Sequence, residues 1–172
     1  YQEIKQAEGW ISIPDLAVAI ADKLKMPKLA NPIKRLAYTL PFDRFLAQDA
    51  AETLKFLGTY GKRVVFADGD LVYSPIKINR LGLDTLVDDV LVYEMKLPNI
   101  AEVFRLYEGY RPIVVDDQIK VLEACAKTNS KTITIWINQG PYSTQTATDP
   151  QFKPTHTIST FAELETVIRD LC

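Results

Sequence analysis

From residue 63 onward, short apolar runs rich in β-branched and aromatic residues alternate with segments of helical periodicity. The runs fall at residues 63–66, 90–93, 112–115 and 132–136. Helical segments are expected at residues 48–60 (closed by Gly61), 75–81, 99–106, 119–127 and 161–171, the last capped by Thr160 or Ser159. A parallel pair of strands needs a crossover of a dozen or more residues, usually a helix. The alternation therefore predicts an α/β chain built on a parallel sheet with helices on both faces. The runs are continuously apolar, as strands buried on both faces should be. Residues 140–154 are polar and read as a loop.

Residues 1–40 lack any strand signal. Ser12-Ile13-Pro14-Asp15 reads as a helix start, with Ser12 or Ile13 near the cap and Pro14 in the first turn. Leu16, Ala19, Ile20 and Leu24 follow at helical spacing, and Met26-Pro27 ends the helix. A second short helix starts at Asn31-Pro32. The expected division is a helical segment at 1–40 and an α/β core at 41–172.

Several classes are set aside by composition. The 172 residues are 47% apolar and 24% charged, with a net charge of −2, which suits a packed domain rather than a disordered one. Lys and Arg are scattered among acids, so no nucleic-acid footprint is expected. No apolar run is long enough for a membrane span, and residues 1–10 carry Glu3, Lys5, Gln6 and Glu8 in place of a secretory apolar segment. Cys125 and Cys172 form neither a metal spacing nor a disulfide framework; Cys125 reads as helix core. His156 reads as a surface or strand-edge residue. A cytoplasmic location is the expectation.

In doubly wound sheets ligands bind at the carboxyl ends of the strands. There the chain places Ala67-Asp68-Gly69-Asp70, then Glu94-Met95-Lys96, then Asp116-Asp117, then Ile137-Asn138-Gln139-Gly140. Adjacent carboxylates at a strand end repel unless a cation is present. Mg²⁺ takes oxygen ligands, commonly one or two carboxylates with waters and phosphate. Lysine pairs with phosphate and with carboxylate. Singly, Asp116-Asp117 reads as well as a solvated helix N-terminus, where the dipole favours acids, and Lys96 reads as a surface lysine. In this order they point to phosphoryl transfer. No Gly-rich phosphate loop and no convincing Ser–His–Asp set is present. Trp10, Tyr107, Tyr110 and Trp136 read as packing residues.

Four pieces in sequence carry a family resemblance: Val64-Val65-Phe66-Ala67-Asp68-Gly69-Asp70, Lys77-Ile78-Asn79-Arg80-Leu81-Gly82-Leu83, Val87 through Lys96, and Ile113-Val114-Val115-Asp116-Asp117. Together they resemble the haloacid-dehalogenase-like (HAD) hydrolase superfamily. The resemblance implies a HAD-like Rossmannoid sheet, with residues 1–40 as part of a helical cap. It implies a Mg²⁺-dependent phosphatase acting on a small phosphorylated metabolite through an aspartyl-phosphate. By position, Lys96 matches the family's third motif and is the catalytic lysine. Asp116 and Asp117 match the fourth and are the metal acids, Asp117 as the direct ligand. The second motif, which supplies Ser or Thr to phosphate, falls at Ala67, where the backbone N–H groups of Asp68 and Gly69 would have to substitute.

The chain departs from the family at the first motif. No Asp-x-Asp precedes the cap-like segment. An alternative reads Asp68 as nucleophile and Asp70 as acid/base, although their setting is that of the second motif. Loss of the first-motif strand would expose backbone groups in mid-sheet. With Tyr1 reading as mid-helix, the expectation is an N-terminally incomplete version of a longer protein, inactive by itself, or a gap that something else fills. The rivals are a catalytically inactive HAD-fold binding or assembly module, and a haloacid dehalogenase that needs no metal. Neither a nucleic-acid nor a membrane partner is expected, and oligomerisation is left open.

Overall fold

The computed structural model describes residues 12–47, 49–139, 142 and 146–172. Trp10, Gly140 and the opening stretch from Tyr1 lie outside the described residues. The chain forms two compact units. One holds the described residues of 1–51 with 62–95; the other holds 52–61 with the described residues of 96–172. The helices before residue 40 share a unit with the first two strands. Among the described residues no helix is long and apolar enough to cross a membrane.

In the first unit, α1 spans Ile13–Lys23 and α2 Ala30–Tyr38. Ser12 caps α1: its side chain accepts from the Asp15 N–H at 3.4 Å, and Pro14 occupies the first turn. Ala17 and Ala21 are buried one turn apart on the inner face. Strand β1 (Val64–Asp68) runs parallel to β2 (Asp89–Tyr93), with Val64 opposite Asp89 and Asp68 opposite Tyr93. At the start of the ladder, Arg63 donates from Nε and Nη2 to the two Asp88 carboxylate oxygens, at 3.0 and 3.1 Å. Helix α4 (Tyr73–Arg80) follows β1, and its Tyr73 ring packs edge-on against Tyr38 and Phe42, each at 5.7 Å.

The second unit takes α3 (Ala50–Leu57) from Glu52 onward. It continues with α5 (Ile100–Leu106), β3 (Ile113–Asp116), α6 (Ile119–Thr128), β4 (Ile133–Ile137), β5 (His156–Ile158) and α7 (Phe161–Leu171). Its sheet has the order β3-β4-β5, all parallel. Side chains alternate across a strand. Ile133, Ile135 and Ile137 therefore join Ile158, Leu164 and Ile168 in one core, with Ile113, Val115 and Phe56 against it. Asp116, Thr134 and Trp136 project to the opposite face. Thr160 and Glu163 close the start of α7 as a capping box: Thr160 Oγ1 accepts from Glu163 N–H and Glu163 Oε2 from Ser159 N–H.

The structure departs from the sequence expectation in two respects. Strands β1, β2 and β3 are only partly buried throughout, whereas β4 is buried at four of five positions. Among the described residues β1 and β3 are each paired along one edge only, while β4 is paired along both. The other departure is β5, which periodicity does not show. It is an outer strand of three residues in which only Ile158 is buried, so it has no apolar run to display. His156 lies in this strand, in line with the strand-edge reading.

Candidate active site

At the end of β1, Gly69 has φ +137°, and a Cβ there would stand 3.0 Å from Ser74 Oγ. Only glycine fits this turn comfortably. The Gly69 N–H, expected to face phosphate, instead donates to the Tyr93 carbonyl at 2.9 Å and extends the β1–β2 ladder. That takes it out of any phosphate cradle at Ala67. Asp70 is 6% exposed. Its Oδ1 accepts from the N–H groups of Val72 and Tyr73, both at 2.8 Å, and its Oδ2 from that of Ile13 at 2.8 Å. One carboxylate thereby ties together the N-termini of α1 and α4, where the helix dipoles favour an anion. Burial pushes this carboxyl up, but the N–H groups of Tyr73, Ile13 and Val72, with the charge of Lys34, hold it below the usual range. All three of these bonds come from backbone N–H groups, so the fold uses this carboxylate to fasten two helix starts. Asp68 is the last residue of β1, and its register with Tyr93 puts it at the same end as Glu94.

In the second unit the sequence-predicted residues do meet. Lys96 heads the short 3₁₀ turn Leu97–Asn99 that leads into α5. Its Nζ lies 2.5 Å from Asp116 Oδ2, with the two side chains only 8% and 10% exposed. Oδ1 of Asp116 accepts from the Gln118 N–H at 2.8 Å, fixing the turn into α6. Asp116 is therefore engaged on both oxygens. Asp117 differs. Burial raises its carboxyl, the Asp116 charge raises it further, and its own N–H and Lys96 offset this only in part. It is the acid here whose charge is least compensated.

Two neighbours were not legible as part of this site. Trp136 stands opposite Asp116 in the β3–β4 register, and its Nε1–H donates to the Asp117 carbonyl at 3.0 Å. The sequence marks it only as a packing aromatic; the pairing of β3 with β4 is the signal that brings it to Asp117. Cys125, 1% exposed on α6, lies close enough to feel Asp116. Burial, and then the Asp116 charge, push its thiol up to about 12 against the opposing pull of Lys96, so it is an inert core thiol.

Among the described residues no group of three or more His, Cys, Asp or Glu is arranged to hold a metal ion. Mg²⁺, however, is commonly bound through one or two carboxylates, its other positions being filled by water and substrate oxygen. An undercompensated Asp117 beside Asp116 fits that sparse donor set. A parallel sheet with acids and a lysine at strand carboxyl ends defines a class of ligand-binding α/β proteins.

No family model and no curated protein sequence matches the chain. Solved structures do. A haloacid dehalogenase-like hydrolase from Burkholderia xenovorans matches with a TM-score of 0.81 at 23% identity, over 96% of this chain and 78% of that one. A haloacid dehalogenase-like family hydrolase from Xanthomonas campestris matches with a TM-score of 0.68 at 17% identity, over 84% of this chain. A dehalogenase with intermediate complex gives 0.61 at 18% identity, over 81% of this chain. The matched part spans 62% of the length of each of these last two relatives. The chain has the haloacid-dehalogenase-like fold.

Proposed function

We propose that this chain carries the lysine and metal-acid half of a HAD-like hydrolase site. The activity would be that of a Mg²⁺-dependent phosphatase on a small phosphorylated metabolite, in the cytoplasm. The observation that carries this reading is the buried Lys96–Asp116 pair at 2.5 Å, with Asp117 adjacent and undercompensated. Lys96 would hold Asp116 in place and offer positive charge where phosphoryl oxygens gather. Asp117, steadied by Asp116, would hold Mg²⁺. When bound, Mg²⁺ supplies charge neutralisation and orientation of the phosphoryl group. Asp70 is occupied elsewhere: both of its oxygens accept from backbone N–H groups, of Val72 and Tyr73 on one and of Ile13 on the other.

A second reading, a non-catalytic HAD-fold module, is favoured by two specific features. Ala67 offers no hydroxyl, and the Gly69 N–H is already engaged with Tyr93. The readings separate on hydrolysis of an aryl phosphate by the protein that contains this chain. The phosphatase reading expects turnover that a chelator abolishes and that Lys96→Ala and Asp117→Asn each reduce at least roughly a hundredfold. Turnover unchanged in both variants would overturn the site. Chelator-insensitive release of halide from a haloacid would point to a dehalogenase, and no turnover of either kind to a module.

A further inference from the structure

We propose that Trp136 is a positioning residue for Asp117: its indole N–H holds the Asp117 carbonyl and so sets where the Asp117 carboxylate stands beside Asp116. The proposal rests on the reading of Asp117 as the acid that meets Mg²⁺. Three observations carry it. Within β4, Trp136 is the one residue that is not buried, on the face opposite the isoleucine core. Its register partner is Asp116, so the ladder brings the indole to the turn after β3. The 3.0 Å bond from Nε1 ends on Asp117 itself. In that turn Asp116 is fixed from both sides, by Lys96 and by the Gln118 N–H. The Asp117 side chain bonds to the Asp116 side chain and to its own N–H; its carbonyl is what Trp136 grips. A half-buried indole N–H takes a polar partner, and here the partner is the carbonyl of the metal-acid candidate itself.

The distinction between gripping and packing can be tested on the protein that contains this chain. Trp136→Phe keeps an aromatic ring and removes the N–H. A benzothienyl alanine at position 136 keeps the bicyclic shape and also removes it. Both should speed exchange of the Gln118 amide by roughly tenfold, as loss of one hydrogen bond from the turn would, with the α7 amides unaffected. Both should weaken Mg²⁺ binding, read by calorimetry, by roughly tenfold, the usual effect of removing a group that orients a ligand. Unchanged Gln118 exchange in both variants would overturn the proposal. So would faster exchange with Mg²⁺ affinity intact, provided that Asp117→Asn abolishes binding. If the unsubstituted protein binds no Mg²⁺, or Asp117→Asn leaves binding unchanged, the functional reading fails. Trp136 is then judged by the exchange result alone, acceleration supporting its grip on the turn and no change refuting it.

Discussion

Asp70 and Asp116 begin alike. Each lies at or just past the carboxyl end of a parallel strand, and each accepts the backbone N–H two residues on, from Val72 and from Gln118. Their remaining capacity goes to different things. Asp70 gives it to Tyr73 and Ile13, so its charge is absorbed by two helix N-termini. Asp116 gives its other oxygen to Lys96 and has a second carboxylate as its neighbour. A carboxylate surrounded by backbone donors is a structural fastening. A carboxylate shared between a buried lysine and another acid leaves an electrostatic imbalance that a cation or phosphate can answer. Acids at strand ends are therefore not equivalent, and what distinguishes them is which groups the fold brings around them.

The comparison is broken most severely at Lys96. Removing one partner of a buried pair leaves the other charge uncompensated, and Lys96→Met should cost about 3–5 kcal/mol in urea unfolding. Adding Asp116→Asn should recover most of that, because the amide oxygen still accepts from Gln118 and neither charge of the pair is left unpaired. A loss below about 1 kcal/mol in the single variant would show that the pair behaves as an exposed ion pair.

Asp70 offers the next test. Asp70→Ala strands donors at the start of two helices and should cost about 2 kcal/mol by thermal or urea unfolding. Asp70→Asn should cost about half as much, roughly 1 kcal/mol. Its oxygen can replace Oδ1 toward Val72 and Tyr73, but nothing replaces Oδ2 toward Ile13. Equal losses in the two variants would mean that charge rather than hydrogen-bond count matters there.

Much of this was legible in the sequence. The four short runs became β1 to β4, because each is rich in β-branched and aromatic residues and bounded by turn residues. Ser12 (or Ile13) and Thr160 (or Ser159) were readable as cap candidates, and the structure selects Ser12 and Thr160, whose side-chain oxygens accept the helix-start N–H groups. The order of Lys96, Asp116 and Asp117 along the chain marked them as a candidate set, and the structure brings Lys96 and Asp116 into contact. What could not be read depends on contacts distant in sequence. The engagement of Asp70 with Ile13 spans 57 positions, and that of Trp136 with Asp117 spans 19. Strand β5 has one buried residue and so no pattern. Glu123, 3% exposed on α6, accepts from the N–H groups of Thr148 and Asp149 and anchors the loop after β4, across 25 and 26 positions.

The finest test sets the two acids against each other in pH. Asp70 has its carboxyl lowered in the fold, so its ionised form adds stability that is present above its ordinary 3.8 and lost as pH falls through the lower folded value. Asp117 has its carboxyl raised, so the fold prefers it protonated. Its contribution is complete below 3.8 and is lost as pH rises through the higher folded value. Asparagine substitutes for the protonated form of each. Asp70→Asn should therefore lower the melting temperature at pH 7, and that deficit should shrink as pH falls below the ordinary aspartate range. Asp117→Asn should raise the melting temperature slightly at pH 7, with the gain vanishing as pH falls below that range. The second effect is the smaller because Asp117 is only partly shielded from solvent, where charge interactions are screened. A melting temperature for Asp117→Asn equal to or below that of the parent at pH 7 would mean that the Asp117 charge is already compensated, and the contrast with Asp70 would disappear. Adding Mg²⁺ sharpens the result: a cation that binds Asp117 stabilises the parent and not Asp117→Asn, so the order of the two melting temperatures should reverse at saturating Mg²⁺.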